Sequence, residues 1–232
     1  MKSDYSLSIR FSSDGFSLSI LDHTDALLVK RDVSEPLFQM QKNEIVQLFE
    51  TKAGIIPSAY SDIELIVESD FYVFMPSPIF KAQNLDDYFY FQHEKDSRQI
   101  VLFNRIPNWD AVNIFSIPTQ LNGALNELFP DAVVSHQLSY FLSEKMSTKD
   151  ERVCVWLRPK MFDVAVVKSG QLTLINSFVY DTAEDFTYFI LSIFDQLKLD
   201  TEKVGVEIYQ RENSLDFSVI AECGVKITRT SC

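Results

Sequence analysis

Residues Val153 to Gln210 read VCVWLRPKMFDVAVVKSGQLTLINSFVYDTAEDFTYFILSIFDQLKLDTEKVGVEIYQ. Three short runs rich in β-branched and aromatic residues predict strands at Val153–Leu157, Phe162–Lys168 and Leu172–Val179. Asp181 and Thr182 then cap a helix. Its apolar face is Phe186, Phe189, Ile190, Ile193, Phe194 and Leu197, spaced at three and four residues as an amphipathic helix requires. One more strand follows at Val204–Tyr209. The stretch therefore reads β-β-β-α-β, a meander followed by a helix and a returning strand.

The same order recurs at the N-terminus. Ser6–Phe11 and Phe16–Leu21 alternate apolar and polar residues around Ser12-Ser13-Asp14-Gly15, and Asp-Gly between alternating runs signals a hairpin. Ala26–Arg31 reads as the third strand. Leu37, Met40, Ile45, Leu48 and Phe49 mark a helix, with Ser34 as its cap and Pro36 in its first turn. Ile63–Glu68 is the returning strand. No residue-level repeat lies beneath the repeated order.

The region between the halves is mixed. Phe71–Met75 is β-like until Pro76 and Pro78 break the chain. Asn84–Glu94 has helical spacing. Arg98–Ile106 and Val112–Ile117 read as a strand pair, and Pro118-Thr119 opens a helix carrying Leu121, Leu125 and Leu128. Ala132–Ser135 is a short strand and Leu138–Met146 a short helix. The polar segment Ser147–Arg152 reads as a hinge, and Leu215–Thr228 as one or two strands. These readings give an α/β chain (α+β mixed sheets) in two lobes. The first spans 1–147 with an inserted subdomain at about 76–131, and the second spans 148–232.

The 232 residues carry a net charge of −12, which repels phosphate backbones and anionic membranes. No run approaches the roughly 18 apolar residues of a spanning helix. The start, MKSDYSLSIRF, lacks the apolar core of a signal peptide. Three cysteines, Cys154, Cys223 and Cys232, are too sparse and too odd in number for a disulfide framework. The expected compartment is the cytoplasm.

Glycine is the most restrictive count. The six glycines stand at 15, 54, 123, 170, 205 and 224, never closer than 19 residues. Phosphate loops built on paired glycines, including the P-loop, the dinucleotide fingerprint and the kinase lid, are excluded because the backbone must approach the phosphate closely.

The element order resembles the actin-like ATPase superfamily, whose two lobes have a ribonuclease H-like fold. By pattern it is similar to bacterial cell-division and pilus-assembly ATPases, and more narrowly to an uncharacterised Bacteroidetes family with this fold. Ala132–Gln210 carries most of the resemblance. In active members the first hairpin of each half is a phosphate loop, with an acid ending its first strand and a glycine close behind. The resemblance places the first acid near Arg10, followed by Phe11-Ser12-Ser13-Asp14-Gly15. The second loop is Trp156-Leu157-Arg158-Pro159-Lys160, without acid or glycine, and Pro159 removes one N–H. The adenosine glycine pair falls at Tyr209-Gln210-Arg211-Glu212, where there is none. The implied reading is a degenerate member that keeps the fold, loses phosphoryl transfer and needs no cofactor. Should nucleotide or anion binding survive, Asp14, Gly15, Arg158 and Lys160 are its residues. The alternative is an active ATPase or sugar-kinase-like enzyme with Asp14 as its remaining acid.

Several constellations have two readings. Arg158 and Lys160 put two cations at a hairpin tip, either an anion contact or, as hairpin tips commonly are, a solvated turn. Tyr88-Phe89-Tyr90-Phe91 holds more aromatics than one helix face buries. Tyr88, Tyr90 and Phe91 are the candidate contacts to another cytoplasmic protein. His23, His93 and His136 lack ligand spacing, so no metal is expected, and His93 reads as a solvated helix end. No G-x-S-x-G elbow occurs. Cys154 reads as a buried small hydrophobe. Asp14 and Asp22 flank the first hairpin as a carboxylate pair, although turn chemistry alone accounts for Asp14.

Overall fold

The structure is a computed structural model that describes residues 5–24, 26–56, 59–146, 150–210 and 215–231. The chain forms two compact units, Met1–Lys145 and Met146–Cys232. Residues 147–149 of the expected hinge lie outside the described residues.

In the first unit β1 (Ser6–Ser12), β2 (Gly15–Leu21), β3 (Leu27–Ser34), β4 (Asp62–Val67) and β8 (Val134–His136) form one mixed sheet in the order β3-β2-β1-β4-β8. The meander is antiparallel, and β4 and β8 add in parallel. The alternation in β1 sends Leu7, Ile9 and Phe11 into the core, while Ser6, Ser8, Arg10 and Ser12 take the opposite face. Helix α1 (Lys42–Leu48) and helix α3 (Thr119–Leu128) cover the core face through Ile45, Leu48, Leu121 and Leu125. Phe16 stacks on Phe49 at 4.4 Å, and Phe49 meets Phe129 edge-on at 6.0 Å. The first helix begins later than Ser34 and Pro36 led us to expect. A short 3₁₀ turn takes Leu37–Gln39, and α1 starts after Gln41, whose N–H donates to Glu44 Oε2 at 2.7 Å.

Between β4 and β8 the chain builds a three-stranded antiparallel sheet from β5 (Tyr72–Pro76), β6 (Gln99–Ile106) and β7 (Ala111–Pro118), in the order β5-β7-β6. Helix α2 (Leu85–Tyr90) packs on it through Phe89, which joins Val73, Phe80, Val101, Val112 and Ile114 in a second small core. β7 is buried along its whole length. Its Val112 and Ile114 serve the small core, and its Phe115 and Ile117 serve the large one. The small sheet starts at Tyr72, before residue 76, and α3, although within 76–131, packs in the large core through Leu121, Ala124 and Leu125.

Polar side chains tie this sheet to β8. Asn104, on β6, donates to Val134 O at 3.0 Å and accepts from the His136 N–H at 2.8 Å, standing in for a missing neighbour strand. His136 is fully buried. Its Nδ1 accepts from the Leu138 N–H at 3.2 Å, which leaves Nε2 to donate to Ser69 O at 2.9 Å. Helix α4 (Gln137–Tyr140) follows and runs into a π-turn over Phe141–Lys145.

The second unit repeats the plan. β9 (Arg152–Arg158), β10 (Met161–Lys168), β11 (Gln171–Val179), β12 (Val206–Gln210) and β13 (Ile227–Ser231) pair in the order β11-β10-β9-β12-β13, with β12 and β13 parallel to β9. Helix α5 (Ala183–Leu197) buries Phe186, Ile190, Ile193 and Phe194 against Val153, Val155, Phe162 and Val164. Its start is fixed reciprocally. Thr182 Oγ1 accepts from the Asp185 N–H at 3.1 Å, and Asp185 accepts from the N–H of Thr182 at 3.0 Å. Of the one or two strands expected in Leu215–Thr228, one forms. Asp216 accepts from the Ser218 N–H at 2.9 Å and starts helix α6 (Ser218–Glu222), so only β13 is extended.

Asn104→Ala removes both bonds to β8 and leaves the His136 N–H without its acceptor. We expect a loss of roughly 1–3 kcal/mol in urea unfolding, whereas Asn176→Ala, on the exposed strand β11, should change little.

Candidate functional site

The two leading hairpins have turns of equal length. Phe11 faces Phe16 across one, and Leu157 faces Phe162 across the other. In the first, the Ser12 hydroxyl donates to Asp14 Oδ1 at 2.7 Å, and Asp14 O accepts from the Glu35 N–H at 2.9 Å. Gly15 makes a close approach to the chain itself. A Cβ there would stand 2.0 Å from Val33 O, so pairing of β2 with β3 alone demands glycine. Asp22 lies beyond the other end of β2, about 26 Å from Asp14 along an extended strand at 3.3 Å per residue. The expected Asp14–Asp22 pair is therefore not formed. Asp22 instead accepts from Thr24 and Ala26 in its own turn, and the Thr24 hydroxyl is the leading cause that holds its carboxyl below the usual range.

In the second hairpin Arg158 does not stay at the tip. Its guanidinium folds back onto Asp163 Oδ1 at 3.1 Å, with 12% of its side chain exposed against 0% for Asp163. Ser177 Oγ donates to the same carboxylate, and Tyr180 Oη donates to Arg158 O at 2.9 Å. Asp163 Oδ2 is buried without a hydrogen-bond partner among the described residues. Lys160 sits at φ 65°, in the left-handed region, and its ammonium pairs with the exposed Asp181 at 2.7 Å. The two cations thus part. Arg158 is an internal structural charge, and Lys160 is the solvated one.

Arg10, at the expected first acid position, lays its guanidinium over the Tyr140 ring, 4.9 Å from the centroid. Beside it the first unit opens a cleft of about 520 Å³, lined by Glu64, Asn104, Arg105, Ser135, Tyr140 and Glu144 among others. Glu64 faces Ser8 across β1–β4. Burial pushes its carboxyl above the usual range, the Ser8 hydroxyl opposes this, and nearby Asp62 and Glu144 add to it. Glu207 holds the same place in the second unit, facing Cys154 across β9–β12. It accepts from Tyr209 Oη at 3.3 Å and meets Arg152 at 3.6 Å. Burial, with the Glu207 charge second, pushes the Cys154 thiol far up and Tyr209 up to about 12, so neither is poised as a nucleophile. Sequence reasoning passed over Glu64, Asn104, Asp163 and Glu207. The only available signal was an acid at an in-strand position of an otherwise apolar run, as in Ile63-Glu64-Leu65 and Phe162-Asp163-Val164.

The aromatic run divides. Phe89 is buried, Tyr88 and Tyr90 are half-buried, and Phe91 is 88% exposed. Tyr88 Oη donates to Ile79 O at 3.2 Å. Ile79 and Phe71 are exposed by 61% and 56%. His93 is not a solvated helix end. Its Nε2 stands 3.1 Å from Tyr72 O, and its ring packs 4.6 Å from that of Phe89. Among the described residues no three His, Cys, Asp or Glu side chains group as a metal site, and no helix is long and apolar enough to cross a membrane.

The family model described as a protein of unknown function, DUF3822, matches residues 1–216. A crystal structure from Bacteroides thetaiotaomicron, a protein with actin-like ATPase fold and unknown function, is similar with a TM-score of 0.78 and 24% identity, over 99% of this chain and 91% of that one. The ethanolamine utilization protein EutJ from Carboxydothermus hydrogenoformans matches at TM-score 0.51 and 9% identity, over 99% of this chain and 85% of that one. The PilM–PilN type IV pilus biogenesis complex matches at 0.50 and 10%, over 97% and 88%. These likenesses establish the actin-like ATPase fold. No curated protein matches the chain.

Asp163→Ala removes the buried carboxylate that accepts from both Arg158 and Ser177, and chemical denaturation should show a loss of roughly 1–3 kcal/mol. Lys160→Ala breaks only the exposed pair and should leave the melting temperature unchanged.

Proposed function

We propose that this chain, which belongs to the DUF3822 family and has the actin-like ATPase fold, is a non-catalytic binding module for another protein. One observation carries the reading: the groups of both hairpins that would face a nucleotide are engaged inside the chain. Asp14 accepts from Ser12, Gly15 accommodates Val33, Arg158 is paired with Asp163 and Lys160 with Asp181. The Ser12–Asp14 and Lys160–Asp181 contacts are exposed and weak, so the Arg158 pair is the one that resists an incoming phosphate, because opening it leaves Asp163 charged and buried. Mg²⁺ is ordinarily held by one or two carboxylates and phosphate oxygens, and Arg10 stands where the resemblance puts the first acid. The insertion is the binding face we favour, because Phe91 and Ile79, with Phe71 at its entry, expose apolar surface that no strand pairing requires. The acidic chain favours a basic partner and disfavours nucleic acid. We place the module in the cytoplasm on its sparse cysteine content.

Calorimetric titration of the whole chain with ATP and Mg²⁺ should give no binding heat, and a phosphate-release assay no turnover above buffer. Micromolar affinity that disappears in Asp14→Ala would instead establish an active nucleotide-dependent ATPase or sugar-kinase-like enzyme.

A further inference from the structure

The end of α2 presents aromatic rings and carboxylates in a repeated arrangement. Residues four apart are neighbours on a helix surface, so Asp86 lies beside Tyr90 and Asp87 beside Phe91. The Phe91 N–H donates to Asp87 O at 3.2 Å, which carries the helical turn through Phe91. At the first of these pairs the chain supplies its own cation. The Lys95 ammonium stands over the Tyr90 ring, 5.4 Å from the centroid. Burial first, then the charges of Asp86 and Asp96, push the Tyr90 hydroxyl up, which places both carboxylates near that hydroxyl. Arg98 engages Asp96 through two nitrogens, the shorter contact at 2.8 Å, so Asp96 is already neutralised.

The second pair has no such cover. Phe91 is 88% exposed and has no ring or cation contact among the described residues, and Asp87 beside it is exposed. The support beneath is packed. Phe89 is buried and meets Tyr90 edge-on at 5.3 Å, His93 packs on Phe89, and Phe71 meets His93 at 5.7 Å. An exposed phenylalanine on a packed platform, next to a carboxylate and one residue from a ring that already holds an ammonium, is complementary to a cationic side chain.

We infer that Phe91 and Asp87 form a docking seat for a lysine- or arginine-bearing segment of a partner protein, by analogy with the Tyr90 ring that Lys95 covers within the chain. This rests on the reading of the insertion as the binding face and adds the chemistry of its partner. The net charge of −12 steers such a segment toward the chain, and the ring–carboxylate pair fixes where it lands.

The test uses the intact chain and a short fluorescein-labelled peptide of alternating arginine and serine, read by fluorescence anisotropy. A peptide of alternating glutamine and serine is the control. The arginine peptide should bind and the glutamine peptide should not. Phe91→Ala and Phe91→Leu should each weaken binding roughly fivefold, the scale of an exposed cation–π contact, while Phe91→Trp should retain it. Leucine keeps the apolar surface and loses the π face, so its failure separates this seat from a greasy patch. Asp87→Asn should weaken binding, and Glu222→Gln, which removes a charge elsewhere, should not. No binding of the arginine peptide, or binding indifferent to Phe91→Ala and Phe91→Leu, overturns the seat. The underlying reading is judged separately by affinity capture. A partner lost on Phe91→Ala whose bound segment is acidic or uncharged keeps the insertion as the binding face and overturns the basic segment. A partner retained on Phe91→Ala and Tyr90→Ala sinks both.

Discussion

The first hairpin of each unit fixes a register, and each sheet inherits it. Strand side chains alternate with a period of two, so a one-residue slip would turn Leu7, Ile9 and Phe11 out of their core and bring Arg10 in. The turns Ser12–Gly15 and Arg158–Met161 prevent that slip. With β1 and β9 locked, the parallel strands β4 and β12 have one satisfactory alignment, and the helices α1, α3 and α5 have one apolar face to cover. The turns use different chemistry for the same end: glycine under the Val33 carbonyl in one, proline followed by a left-handed Lys160 in the other.

Aligning the units by these registers reveals a repeat that the sequence conceals. Leu7, Ile9 and Phe11 correspond to Val153, Val155 and Leu157, and Phe16 to Phe162. Glu64, opposite Ser8, corresponds to Glu207, opposite Cys154. Cores tolerate exchange among apolar residues of similar volume, so the hydrophobic positions drift in identity while their burial persists. The corresponding glutamates stand on the sheet face opposite α1 and α3 in the first unit and opposite α5 in the second.

Legibility followed the range of the interactions. The β-β-β-α-β orders, the Thr182 cap and the Asp-Gly hairpin are local and were readable. The start of α1 was not, because Gln41 with Glu44 competes with Ser34 and Pro36, and only the tertiary burial of Ile45 and Leu48 decides the contest. Nor was the extent of the insertion. β7 looks like any apolar strand until Val112 and Ile114 are seen to enter one core and Phe115 and Ile117 another. Asn104, a polar residue in a strand, reads as a surface position, yet its side chain supplies β8 with a donor and an acceptor 30 and 32 residues away. Arg158 read as a tip cation because Asp163, five residues on, lies among valines and gives no hint of facing back.

The inward turn of Arg158 bears on chemistry. A cation at a hairpin tip is available to an anion only if its charge is unspent, and a guanidinium with 12% of its side chain exposed against a fully buried carboxylate is not. The pair is held in a medium where separating the charges costs more than in water, and Asp163 gains further from Ser177. Evolution of a phosphate site at this hairpin would have to remove Asp163 or supply it with another partner before Arg158 could turn outward. By contrast, Phe91 and Asp87 on the insertion require no internal contact to be broken before they meet a ligand. The energetic asymmetry between the two places, one closed by a buried ion pair and one open on a packed aromatic platform, is the reason we propose recognition on α2 rather than at the hairpins.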